Sequence, residues 1–471
     1  MLVLAIETST SSVKVALFDS ATGQTWKERR KIDKTPGQGL LDADGVFELA
    51  VRAVKEAAAG QDVAAIALCG TWHSVMICER DMKPVSPVYT WEYSGAADLC
   101  GRLRDSGQQT DFYYRRTGCM PHSIYARHVL QVLRTEGLCL DDKICMTQGA
   151  YMFYRLTGEL VETASMQSGA GLINIHSLVY DQDILDSIGI GTHQLGRLAG
   201  QDECGALSEQ AAGLLGLRAG IPVTPAYPDG ALNQVGDAAS RPGVMTLSVG
   251  TSGAIRLVCE QPVLPPGREL WCYYGLTGWM SGAAVSGACN CIDWFCDTYC
   301  SPPVTPEEME TRTGGTDPPI FMPYLFGERC PGWNDGRRAA FHDVSPAHTT
   351  VDFYRAVQMG ILFNLYQCYE KLCDNAGKPD EIIVSGGITK SEIWLGMLAD
   401  LFGREMSISH DSDASSAGAI ALGLRAAGGP DAMTEIFRRQ PPRRHVGPNA
   451  GNQSAMKKKY ARFLELYQYG L

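Results

Sequence analysis

The chain opens with an apolar run, Leu2 to Ile6, a hydroxyl-rich stretch, Glu7-Thr8-Ser9-Thr10-Ser11-Ser12, and a second apolar run from Val13 to Phe18. Apolar and β-branched runs joined by a short Ser/Thr link read as a β-hairpin. The plan recurs at 244–258 as VMTLSV, GTSG and AIRLV. One such hairpin opening each half predicts a duplicated architecture, with domains at 1–240 and 241–471. Val63 to Cys69 and Glu381 to Ser385 read as further short strands. Val351 to Cys373 and Ser391 to Phe402 carry apolar residues at i, i+3 and i+4, the helical period. Strands alternating with helices give an α/β fold, helices packed on sheets. Pro262 to Gly267 reads as a surface loop within the second half. Ser454 to Tyr469 reads as a basic amphipathic helix with Tyr460, Phe463, Leu466 and Tyr467 on one face; docking on the second domain is expected over membrane binding.

Composition narrows the class. At 471 residues the chain exceeds one hydrophobic core, since cores stop growing at roughly 250–300 residues. With 41 basic and 52 acidic residues the formal charge is -11, which argues against a nucleic-acid partner. A local group of donors can still receive an anionic substrate. The first residues carry no basic start or long apolar run, and no stretch is apolar enough to span a membrane. The 16 cysteines then read as reduced thiols of a cytoplasmic protein. Cys289, Cys291, Cys296 and Cys300 lack paired Cys-x-x-Cys spacing and read as one helix rather than a metal site.

Two segments suggest chemistry. Hairpin tips rich in Gly, Ser and Thr present backbone N–H groups and hydroxyls, the donors that phosphates need. A single tip is a weak sign, because most Ser/Thr turns are only turns; two tips in corresponding places are a stronger one. Neither is a Walker loop, as no G-x-x-x-x-G-K-[ST] occurs. The second segment is Pro225 to Gly236, PAYPDGALNQVG. Its Asp229 fits a turn or helix cap, and it also fits a catalytic base placed just before the domain boundary. Phosphoryl transfer to an alcohol needs one carboxylate to take the hydroxyl proton.

In these residues the chain resembles the FGGY carbohydrate kinases, relatives of actin, hexokinase and Hsp70. Glu7 to Lys14 is similar to the family's first phosphate motif, Asp-x-Gly-Thr-[ST]-Ser-x-Lys, and Gly250-Thr251-Ser252-Gly253 to its second. Phe321 to Pro331 resembles its Pro-Tyr-Leu-x-Gly-Glu-Arg stretch. Ser385-Gly386-Gly387 with Trp394 and Ala399-Asp400 resembles the adenosine motif. Ala417-Gly418-Ala419 resembles the small-residue helix start near the nucleotide. The resemblance implies two similar domains of the actin-like ATPase (ribonuclease H-like) fold flanking a catalytic cleft. It implies ATP and Mg²⁺, a small carbohydrate substrate, and leaves a homodimer open. Asp229 would be the general base. Thr10, Ser11, Lys14, Gly250, Thr251, Gly386 and Gly387 would meet the nucleotide, and Glu7 the metal. His73, Ser74 and Trp91 would join Asp229 at the sugar. Glu328 and Arg329 read either as site residues or as an internal ion pair.

Departures from the pattern fall at both ends of the chemistry. Glu7 replaces an Asp and Ser9 a Gly, so the loop must do without a Gly-only conformation. Trp91-Glu92-Tyr93-Ser94-Gly95 stands where the family commonly has Trp-x-Asp-x-Arg. His73-Ser74 points to the gluconate kinase branch, while Ser286 to Trp294 sits nearer the xylulose kinase type. The expected function is therefore ATP-dependent phosphorylation of a gluconate-like or ketopentose-like hydroxyl. The alternative is a catalytically decayed sensor of sugar or nucleotide, marked by the altered first loop.

Overall fold

The computed structural model describes residues 1–33, 39–300, 302–313, 316–409, 413–428 and 442–470. Leu2–Thr8 (β1) and Ser12–Asp19 (β2) form the first hairpin, with Ala5 opposite Ala16 and Glu7 opposite Lys14. Thr25–Lys31 (β3) extends it as a charged edge strand, TWKERRK, a composition that discourages pairing with another chain. On its other side β1 runs parallel to Val63–Gly70 (β4). Both are apolar nearly throughout, as a strand covered on two faces must be.

Alternation along β1 divides the core. Leu4 and Ile6, with Val13, Val15 and Leu17, pack on Val46, Phe47, Ala50 and Val54 of helix Ala43–Ala58 (α1). Val3 and Ala5, with Ala16, Ala67 and Cys69, face Leu232 and Val235 of helix Asp229–Gly236 (α2) and Ala419, Ile420 and Leu424 of helix Ala414–Ala426. That last helix returns to this unit from far along the chain. The unit comprises Met1–Ser240, Cys272–Trp279 and Asp413–Gln440. The returning helix and α2 meet through reciprocal glycines. A Cβ on Gly236 would lie 1.9 Å from the Ala414 carbonyl oxygen, and one on Gly418 would lie 2.1 Å from that of Leu232.

The second unit comprises Arg241–Trp271, Met280–Ser412 and Pro441–Leu471. Its hairpin, Val244–Val249 (β6) with Gly253–Cys259 (β7), repeats the plan of β1 and β2. Glu381–Gly386 (β8) then runs parallel to β6, as β4 does to β1. The tail forms helix Ala450–Gln468, burying Met456, Tyr460, Phe463 and Leu466. Tyr460 and Phe463 lie 5.8 and 5.5 Å, ring to ring, from Phe363 of helix Thr350–Ala376. Asp400 fixes its start, accepting from the Asn449 N–H at 2.6 Å and Asn452 Nδ2 at 2.9 Å. No helix among the described residues is long and apolar enough to cross a membrane. Cys289, Cys291 and Cys296 lie on one helix, Cys289–Tyr299, and Cys300 caps it. Of the two readings for Glu328 and Arg329, the ion pair forms with another partner, Arg337, 3.4 Å from Glu328, whose carboxylate also accepts from Tyr467 at 2.6 Å.

One buried acid sets a pH dependence. Glu162 is 2% exposed and accepts from the Thr147 N–H at 2.8 Å and its hydroxyl at 3.0 Å. Burial pushes its carboxyl from 4.5 up to about 7, against the pull of those hydrogen bonds. Because the folded value is raised, its stabilising contribution is complete below the unfolded value and is lost as pH rises through about 7. Urea unfolding at pH 5 and pH 8.5 should show the wild type losing up to about 3 kcal/mol more than Glu162→Gln. Parallel pH profiles for the two proteins would contradict this.

Candidate active site

The ends of β1, β4 and Tyr227–Pro228 (β5) lie side by side: Thr8 pairs with Gly70, and Pro228 also pairs with Gly70. Three loops from distant parts of the sequence therefore leave one edge together. They carry Ser9 to Ser11, Thr71 to Ser74, and Asp229.

Asp229 is the first residue of α2, half-buried, with Oδ1 accepting its neighbour Gly230 N–H at 2.8 Å. A helix N-terminus favours a carboxylate in its ionised form. The buried Cys69 thiol registers how charges gather here. Burial raises its pKa most, the Glu7 and Asp229 carboxylates raise it further, and Lys14 opposes them.

Glu7 is buried against donors on three sides. Lys14 Nζ lies 3.0 Å from Oε1, while the Ser415 and Ser416 hydroxyls donate to Oε2 at 2.9 and 3.0 Å. Lys14 also reaches Asp413 at 3.1 Å, and Lys27 pairs with Asp413 at 3.3 Å. Burial alone would lower the Lys14 pKa, but Glu7 and Asp413 raise it overall; Asp413 is correspondingly lowered by Lys14 and Lys27 against the cost of burial. Ser9, standing in for the family's glycine, is not among the described residues with positive φ. Its hydroxyl accepts from the Ser12 N–H at 3.1 Å and donates to the Ser12 carbonyl at 2.9 Å, so the side chain closes the turn itself. Thr10 is half-buried and Ser11 exposed at the tip.

His73 sits in the left-handed region, φ +60, a conformation a non-glycine residue holds only when its surroundings impose it. Its Nδ1 lies 2.6 Å from the Gly169 carbonyl. A carbonyl only accepts, so Nδ1 carries the proton. Tyr125 and Tyr273 meet the imidazole edge-on at 5.3 and 5.4 Å, and their hydroxyls are 2.8 Å apart. Trp72 donates to the Ser165 carbonyl at 2.9 Å. Tyr125 and Tyr273 are 0% and 1% exposed, so they back the imidazole from within the core and hold its orientation. Neither tyrosine was singled out from sequence. Tyr273 lies in a short segment of the second half, and nothing local places it in the first unit.

Other expected residues lie as follows. Ser74 is buried, accepting from the Gln148 N–H at 3.3 Å and donating to the Thr71 carbonyl at 3.4 Å, so its hydroxyl serves the backbone. The Val75–Tyr89 bridge sets half-buried Trp91 on a segment beside 73–75. In the second unit, Val249 pairs with Gly386, which brings Gly250, Thr251, Gly386 and Gly387 together. Gly386 has φ +91, and a Cβ there would lie 2.4 Å from the Val249 carbonyl oxygen; one on Gly387 would lie 2.7 Å from Cys289 Sγ. The Thr251 side chain is exposed. Trp394 donates to the Gln358 carbonyl at 3.1 Å within the core of this unit.

Comparison with known proteins gives the family. Residues 2–236 match the N-terminal domain, and 245–427 the C-terminal domain, of the FGGY family of carbohydrate kinases. A gluconokinase from Bacillus subtilis is 28% identical over 395 residues, covering 79% of this chain and 76% of the relative. A xylulose kinase from Escherichia coli is 24% identical over 480 residues, covering 99% and 98%. The crystal structure of a gluconate kinase from Lactobacillus acidophilus superposes with a TM-score of 0.91 at 25% identity, covering 100% of this chain and 98% of that one. A ligand-bound xylulose kinase from the same organism gives 0.91 and 25%, over 99% and 98%. With family domains matched over most of its length, the chain belongs to the FGGY carbohydrate kinases, and is a phosphotransferase of two actin-like ATPase domains.

Proposed function

We propose that this kinase transfers the γ-phosphoryl group of ATP to a hydroxyl of a small sugar acid or ketopentose, with Asp229 as general base. The observation that carries the reading is the convergence of Asp229 with the His73 loop at one edge of the first sheet. The similarity to a gluconokinase and to xylulose kinases supports the two substrate classes. The substrate's hydroxyl gives its proton to the Asp229 carboxylate as its oxygen bonds to the γ-phosphorus. The bond from that phosphorus to the bridging oxygen breaks, and ADP leaves with the electron pair.

His73 meets a substrate hydroxyl, and half-buried Trp91 bounds an apolar face of the sugar. Thr10 and Ser11 on the first unit, and Gly250 and Thr251 on the second, offer donors to phosphate oxygens, while Gly386 and Gly387 leave room for the adenosine. Mg²⁺ arriving with ATP supplies charge neutralisation on the phosphates. The donors crowding Glu7 do not fit a directly coordinated ion there. Sixteen free thiols support a reducing cytoplasm as the working compartment.

The test is ADP release with MgATP across aldonic acids, pentuloses, hexuloses and polyols, gluconate and xylulose included. Turnover confined to a sugar acid or a ketopentose is expected. Turnover on glycerol alone, or on nothing in the panel, would reject this reading.

A further inference from the structure

Glu7 stands where the family's first phosphate motif usually carries an aspartate, and everything that touches its carboxylate is a donor. Lys14 holds Oε1; the hydroxyls of Ser415 and Ser416 hold Oε2. The residue is 5% exposed. Both serines lie in the first turn of the returning helix Ala414–Ala426, and Asp413, its cap residue, makes no side-chain capping bond of its own. The carboxylate of Glu7 therefore lies at the positive end of a 13-residue helix, held by two of that helix's hydroxyls.

Lys14 bridges Glu7 and Asp413 at 3.0 and 3.1 Å, and Lys27 pairs with Asp413 at 3.3 Å. A divalent ion bound directly to Glu7 would have to share a carboxylate that already takes three donors and would stand beside the Lys14 ammonium. Among the described residues no three His, Cys, Asp or Glu side chains are grouped so as to hold a metal ion. Glutamate is one methylene longer than aspartate, and here the added length reaches the serines.

We propose that Glu7 is not a metal ligand in this kinase but a latch that ties the first phosphate loop to the returning helix, with Ser415 and Ser416 as positioning residues. The proposal rests on the kinase reading for its meaning, because what the latch aligns is the phosphate loop and the base. The same helix presses the backbone of Gly418 against Leu232 of α2, the helix that Asp229 begins. One helix thus holds the end of β1 at its first turn and the Asp229 helix a turn later.

The experiment compares full-length wild type with Glu7→Gln and with the double variant Ser415→Ala/Ser416→Ala. Three readouts are taken: thermal unfolding without ligand, Mn²⁺ affinity in the presence of ADP by the loss of the free-ion EPR signal, and kcat with KM for ATP. A latch predicts that both variants move together. Melting temperature and kcat fall in each, kcat by about 10–100-fold as expected for a positioning shell. Mn²⁺ affinity stays within about twofold of wild type, as it must if no ligand has been removed. A Glu7→Gln variant that weakens Mn²⁺ tenfold or more, or a serine double variant that melts and turns over as wild type, overturns it. Wild type silent with every sugar would reject the kinase reading alone, since melting and Mn²⁺ binding still report on the latch.

Discussion

Asp229→Ala should slow phosphoryl transfer by about 10²–10⁴-fold, the range that a positioned proton acceptor supplies. The affinity for a non-hydrolysable ATP analogue should change by less than about twofold, because the nucleotide residues proposed here lie elsewhere in the chain. Three features support Asp229 as the proposed acceptor. It is the first residue of α2, at the end where the helix dipole is positive. It leaves the sheet edge beside the loop that carries His73. Glu7, the other acid whose charge reaches Cys69, already has both oxygens engaged. Steady-state kinetics on the best sugar of the panel, with calorimetry for the analogue, decide the matter. The Asp229→Asn variant, which keeps shape and loses basicity, should be as slow as Ala. If either variant keeps more than about a tenth of wild-type kcat, Asp229 is not the base.

Gly418→Ala should destabilise the first unit by about 3 kcal/mol, the upper end of what overpacking costs. The added methyl would sit 2.1 Å from the Leu232 carbonyl oxygen, and the obstacle is backbone, which cannot turn aside as a side chain could. Gly236, on the opposite helix, faces the same limit against Ala414. The control is Gly213→Ala, in helix Glu209–Leu215, where nothing lies within 4 Å of the new atom. There alanine's helix propensity should add about 0.5–1 kcal/mol. Urea unfolding of the three proteins separates the cases. A Gly418→Ala protein as stable as wild type would show that the two helices can part at little cost. The motif containing Gly418 resembles a nucleotide-side helix start, yet the physical demand on that glycine is contact between helices.

What could be read from the chain, and what could not, follows from the range of each interaction. Both hairpins were legible because a strand's two-residue period and a Ser/Thr or Gly turn are local signals, and β1, β2, β6 and β7 lie where those signals fall. The helices over 350–376 and 392–402 and the docked tail were legible from the 3.6-residue period. Asp229 stood out through its Pro-Asp-Gly setting and its family pattern. The partners of the site residues were not legible. Ser415 and Ser416 meet Glu7 across more than 400 positions, and Tyr273 reaches His73 from the second half. Arg337 rather than the adjacent Arg329 answers Glu328, because neighbours in a loop point apart while the fold brings the other arginine in. Ser74 sits in the sugar-site pattern and spends its hydroxyl on the backbone. Only the folded chain distinguishes those two uses.

The return of Ala414–Ala426 to the first unit bears on how the protein is born. During synthesis the amino-terminal 240 residues emerge first, and N-terminal domains commonly fold while the rest is still being made. Here the face formed by Val3, Ala5, Ala67 and Leu232 is only partly covered, by α2, until residues 419–424 arrive. At about 5–20 residues per second that interval is roughly 9–40 s. Throughout it, the nascent chain carries a half-covered apolar sheet face, so its dependence on chaperones should be greatest during this wait and end when the returning helix clears the ribosome.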